Sequence, residues 1–212
     1  MTPNTPTPDD TDALARDIAQ QLRQALAHTL LDAGALGDDL PALTIEPAAQ
    51  PIAPALLARS HPGGPKARKE AHALYARCLR HYREVVRPED RKLGLDDVGA
   101  ALAYFVAANV YALQGTVILP PMLLRLEQQL RGIVGRSLQW ASGDARDKQS
   151  YFEQLAVLGV LVGESAAQAA AQGPAAVANV QRAARGYLQQ LLGLNADLLT
   201  IGPDGLSLQA RL

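Results

Sequence analysis

The sequence predicts a mainly α-helical fold: a single-domain, orthogonal or irregular bundle of five to six helices around a buried central helix, with a short β-like C-terminal hairpin. Three observations carry that expectation. Alanine is abundant while aromatic residues make up only 4% of the 212 residues, which suits helices that pack closely. Apolar residues recur at helical spacing along most of the chain. Val98 to Leu124 runs for 27 residues without a charge, as a helix buried on all sides would.

Composition sets the limits. A chain of this length can bury roughly 70% of its unfolded surface, so its stability does not depend on a disulfide or a structural metal. Cys78 is the sole cysteine, and an intramolecular disulfide is excluded. The net charge of −1 hides a polarity: residues 9–47 carry eight acids and two bases, residues 65–92 nine bases and four acids. The opening "MTPNTPTPDDTDAL" has neither the basic nor the apolar region of a signal peptide.

The elements follow in order. Residues 1–8 read as a disordered tail. Residues 9–32 read as an amphipathic helix, with Leu14, Ile18, Leu22, Leu26 and Leu30 spaced by four. Residues 33–64 hold five prolines and four glycines and read as a connection, within which "ALTIEP" suits a short strand. The core domain spans residues 65–212. Pro65 to Arg87 forms a helix with Ala71, Leu74, Cys78, Tyr82 and Val85 facing inward and Pro88 ending it. Asp96 or Asp97 caps a helix from Val98 to about Gln114. Pro120-Pro121 start another, running to about Ala141. Asp144 opens a long helix that Gly173-Pro174 stops, and a last helix covers Ala175 to Leu192. In "LLTIGPDGLSL" two apolar runs flank Pro203-Asp204-Gly205, the signature of a hairpin.

The uncharged run is long enough to cross a membrane. Pro120-Pro121 cut it short, however, and Asn109, Gln114, Gly115 and Thr116 interrupt it. Its nine strong apolars contribute about −3 to −5 kcal/mol on an insertion scale, which those polar residues erode. A buried central helix is the better reading, and no transmembrane segment is expected. Gly159, Gly163, Ala167 and Ala171, four residues apart, then mark a face where a second helix can approach closely.

Few residues offer chemistry. His28, His61, His72 and His81 lack metal-ligand spacing, so neither a metal site nor a cofactor is expected. No phosphate-cradling loop or nucleophile elbow occurs. Glu153 and Glu164 share one side of a helix and are the remaining candidates for acid–base work, set against the plainer reading of carboxylates at the edge of an apolar stripe. No catalytic residue is assigned. Asn109 must find a partner in its apolar surroundings, either a ligand or a neighbouring helix. Tyr104, Phe105, Tyr111 and Trp140 join it as the candidate lining of a small-molecule or lipid pocket. Arg77, Arg80, Arg83 and Arg87 form the candidate partner surface, although a solvated face would look the same. A pI near 6.4, with Glu84 among these cations, argues against nucleic acid and for a protein partner.

The order "LDDVGAALAYFVAANVYALQG", "YFEQLAVLGVLVGESAAQA", "VANVQRAARGYLQQLLGLNADLLTIGPDGL" resembles an uncharacterised bacterial family of small, often secreted helical proteins, over about residues 65–208. The resemblance implies an all-helical fold and, for a mature chain, a periplasmic or secreted location; without a removed leader the location would be cytoplasmic. It brings no activity and no catalytic residues. The expected function is a non-enzymatic interaction or accessory protein that binds a protein partner, with homo-oligomers among its forms. A carrier with an apolar pocket beside the central helix, and a carboxylate-dependent enzyme, are the alternatives.

Overall fold

The computed structural model describes residues 14–20, 23–24, 43–46, 50–86, 96–193 and 195–208. The elements, in chain order, are β1 (Thr44–Ile45), α1 (Ala53–Arg59), α2 (Pro65–His81) with a π-helical turn Tyr82–Val86, β2 (Asp96–Asp97), α3 (Val98–Gln114), α4 (Pro120–Val134), α5 (Leu138–Ser142), α6 (Ala145–Gln172), α7 (Pro174–Leu192), a 3-10 turn Ala196–Leu198, β3 (Leu199–Gly202) and β4 (Gly205–Leu208). The fold is mainly helical. β1 pairs antiparallel with β2, and β3 with β4.

Helix α3 is the centre. Its residues are buried except at Tyr104, Tyr111 and Gln114, and α4, α6 and α7 pack around it. Both of its ends are written in the sequence. Asp97 accepts a hydrogen bond from the Ala100 N–H at 2.9 Å, satisfying one of the helix's open donors. Gly115 closes the helix at φ +70°, a conformation that side chains disfavour. α6 runs alongside in the same direction: Gly159 faces Tyr104, and Gly163 faces Ala108. A Cβ on Gly159 would stand 2.9 Å from the Tyr104 ring, so this glycine sets the helix spacing. By length and apolar composition α6 could cross a membrane, but its inner face is occupied by this packing.

Residues 14–20 are helical, with Leu14 and Ile18 buried in the core. Ser137 Oγ donates to Asp17 at 2.7 Å and ties this segment to the start of α5. The expected tail 1–8 and most of the expected helix 9–32 lie outside the described residues, as does Arg87.

Three boundaries depart from expectation, and one expected element is present. The connection 33–64 contains α1, whose Pro54 sits in the first turn, where a missing N–H costs nothing. The expected strand in "ALTIEP" is β1, extended by a bond from Val98 N–H to Leu43 C=O. The helix from Pro65 leaves α geometry after His81, in the π turn. The helix expected to reach Ala141 stops at Val134, because Gly135 ends it and Ser137 caps a new one through the Trp140 N–H.

The hairpin lies against α3 and α4. Its register pairs Thr200 with Ser207 and Ile201 with Leu206 across Pro203-Asp204. Glutamines from the helices pair with its outer edges. Gln129 accepts from the Leu206 N–H at 2.8 Å and donates to the Leu206 carbonyl at 3.0 Å, as a neighbouring strand would. Gln114 donates to the Leu199 carbonyl at 2.6 Å.

Candidate functional site

Two buried polar networks meet at β2. The first hangs on Asp97. Arg131 donates to both of its oxygens, at 2.6 and 2.8 Å, and also to Glu127 at 2.6 Å. All three residues are buried. Burial alone would lower the Arg131 pKa, but the hydrogen bonds to Asp97 and Glu127 outweigh it and raise the pKa. Gly99 lies beneath the guanidinium: a Cβ there would stand 3.1 Å from Arg131 Cζ.

The second network centres on Glu153, which is fully buried. One oxygen accepts from the Ile52 and Ala53 N–H groups, at 2.7 and 2.9 Å, and so caps α1 from a distant helix. The other accepts from Gln149 at 2.8 Å and lies 3.5 Å from Arg83. Arg83 in turn donates to Asp96, at 2.5 Å for its shortest contact. Each of these groups is occupied in holding helices together. Sequence reading missed Asp96, Asp97, Glu127, Arg131 and Gln149 as a set. The only local signal was the four-residue spacing of Glu127 and Arg131 along an apolar stripe.

The predicted site residues are scattered. Glu153 and Glu164 stand eleven positions apart, ~16 Å along α6. Glu164 is exposed and faces His81 at 3.7 Å, so the two carboxylates share no cleft. Tyr104 packs on Tyr82 and Gly159; burial, then the charge of Glu164, pushes its pKa up to about 12. Phe105 packs the other way, against Tyr187 on α7. Asn109 is buried on the side of Phe105. Its amide donates to the Phe105 carbonyl at 2.7 Å, and its Oδ1 has no partner among the described residues. Tyr111 is exposed. Trp140 sits under Lys148 in the first turn of α6, away from the Gly159 and Gly163 contacts with α3. These five residues do not converge on one wall. Among the described residues no cluster of three or more His, Cys, Asp or Glu could hold a metal ion. Burial pushes the Cys78 thiol pKa up, away from the reactive thiolate.

Of the candidate partner surface, Arg77 and Arg80 are exposed. Arg83 belongs to the interior network, because it lies four residues beyond buried Leu79 and shares that flank. The outward face of α2 instead carries Lys66, Lys69, Arg77 and Arg80, all exposed. At 100° per residue they fall within an arc of about 80°, on a face opposite buried Ala71 and Cys78.

A second surface feature is apolar. After Gly115 the chain runs to α4 without regular structure, exposing Val117 (69%) and Leu119 (56%) while Ile118 packs inward. Thr116, Val117 and Ile118 make no backbone hydrogen bonds among the described residues. Pro120, Pro121 and Leu124 prolong the exposed run.

One family matches the sequence over residues 7–209 and is described as a family of unknown function (DUF6683). No curated protein and no solved structure matches the chain.

Proposed function

We propose that this chain, which belongs to the DUF6683 family of unknown function, is a non-enzymatic interaction protein that binds a protein partner through its exposed surfaces. The observation that carries this reading is the apolar run around Val117, Leu119 and Leu124, which is exposed and begins in a stretch, residues 116–118, without backbone hydrogen bonds among the described residues. An apolar surface of this kind is costly to leave in water and commonly marks a contact site. The buried charged networks support the same reading, since the hydrogen bonds of Asp97, Arg131, Glu153 and Arg83 are spent on contacts between helices. The reading extends to the bacterial setting that the sequence resemblance implies, extracytoplasmic for a mature chain and cytoplasmic otherwise.

The test is native mass spectrometry of the protein purified from its own host, beside a Val117→Asp/Leu119→Asp variant. Both side chains are exposed, so the variant keeps its fold. A second polypeptide present with the natural chain and lost from the variant is the expected result. A bare chain in both cases, or a co-purifying small molecule, overturns the proposal.

A further inference from the structure

We infer that the outward face of α2 is a docking surface for an acidic α-helix of a partner protein. The inference rests on the interaction reading and names the chemistry of the partner at a second surface.

Lys66 and Lys69 form one pair of cations, three residues apart; Arg77 and Arg80 form another, eleven residues on. Eleven residues are close to three whole turns, so the two pairs repeat on the same face, along a row of ~21 Å. None of the four makes an ion pair among the described residues. Glu70 and Glu84 lie four positions from Lys66 and Arg80, yet neither closes a pair within 4.0 Å. A solvated helix commonly relieves such charge with carboxylates at this spacing. Here the four cations close no ion pair among the described residues, with Glu70 and Glu84 beside the row, while buried Arg131 is held by two carboxylates.

The centre of the row identifies the partner as a helix. Ala73 lies between the two pairs, and Leu74 beside it is 37% exposed. A small residue lets a second helix axis come within about 8–10 Å, and Leu74 supplies apolar contact there. A partner helix with carboxylates at i, i+3, i+11 and i+14, and an apolar residue midway, matches both the charge and the shape. A nucleic acid backbone would gain nothing from Ala73 and Leu74, and the net charge of −1 offers no long-range attraction to a polyanion.

The test is fluorescence anisotropy with a synthetic helical peptide of about 20 residues carrying that pattern, beside the same peptide with glutamines replacing its glutamates. The full chain should bind the acidic peptide at least about tenfold more tightly than the neutral one. Arg77→Glu/Arg80→Glu should abolish the difference, and a peptide with lysines at the same positions should bind that variant instead. Arg77→Gln/Arg80→Gln serves if charge reversal disturbs the fold, and Arg146→Glu on α6 is the surface control that should change nothing. Equal binding of the two peptides overturns the inference, as does stronger binding of a DNA duplex or of anionic phospholipid vesicles. A gain of about tenfold or more on Asp9→Asn/Asp10→Asn/Asp12→Asn also overturns it, by making the chain's own acidic stretch the occupant. Failure of peptide binding leaves the Val117→Asp/Leu119→Asp result standing, so the two proposals fail separately.

Discussion

Arg131 holds Asp97 by two parallel hydrogen bonds, while Asp97 caps the central helix through the Ala100 N–H. The residue that starts α3 is therefore fixed by α4, and the packing of the two helices is coupled to the capping of one. Removing one partner of a buried ion pair strands the other charge, at a cost of about 3–5 kcal/mol. Arg131→Leu should destabilise by that amount, because Asp97 and Glu127 are left facing each other. Urea unfolding measures it, and a loss under about 1 kcal/mol would show that the pair carries no such coupling.

Glu153 makes a sharper case, because four donors surround it. Glu153→Gln preserves shape but replaces one acceptor oxygen with a donor. That NH2 must face either the α1 amides or the Gln149 and Arg83 side, and both offer donors. The expected loss is about 3 kcal/mol. Hydrogen exchange at Ile52 and Ala53 should accelerate more than exchange in the middle of α3. Uniform acceleration would place the defect elsewhere.

These two networks also show where the sequence falls silent. The ends of α3 are legible because Asp97 and Gly115 act locally, within one turn. The hairpin is legible because Pro203-Asp204-Gly205 dictates a turn. The break between α4 and α5 is harder, since Gly135 and Ser137 look ordinary inside a pattern that is apolar on both sides. Arg83 looks like a member of the Arg77 and Arg80 surface until its four-residue distance from buried Leu79 is weighed against its nearness to Arg80. Pairings such as Arg131 with Asp97, or Glu153 with Ile52, join residues tens of positions apart and leave no local trace. Only the tertiary fold identifies them.

The buried tyrosines give a pH dependence. Burial pushes up the phenol pKa values of Tyr82, Tyr104, Tyr151 and Tyr187, with Tyr104 at about 12 against an ordinary 10.0. A raised folded pKa means the native state holds its proton where the unfolded state releases it. The stabilisation is complete below pH 10 and shrinks as pH rises from there through 12. Denaturant midpoints should fall across that window. A midpoint that stays flat from pH 9.5 to about 11.5 would contradict the burial of these rings.

The hairpin depends on Gln129, whose amide supplies both bonds that a neighbouring strand would give Leu206. Gln129→Glu keeps the acceptor for the Leu206 N–H but sets a second oxygen against the Leu206 carbonyl. Gln129→Met removes both bonds without that repulsion. Each should cost about 1–3 kcal/mol, with the glutamate the worse of the two. Thermal unfolding of the pair ranks them, and the opposite order would mean the glutamate escapes to solvent.

Two glycines on α6, one turn apart, should respond oppositely to the same change. At Gly159 a Cβ would stand 2.9 Å from Tyr104 Cδ1 and 3.3 Å from Phe105 Cα. The Tyr104 ring is itself wedged against Tyr82, and backbone cannot yield, so Gly159→Ala should cost about 1–3 kcal/mol through overpacking. At Gly163 the nearest atom is the Tyr104 hydroxyl at 3.4 Å, which is ordinary contact. There the gain in helix propensity, about 0.5–1 kcal/mol, is unopposed, and Gly163→Ala should stabilise. Equal effects of the two substitutions would mean that Tyr104 moves freely and that Gly159 does not set the distance between α3 and α6.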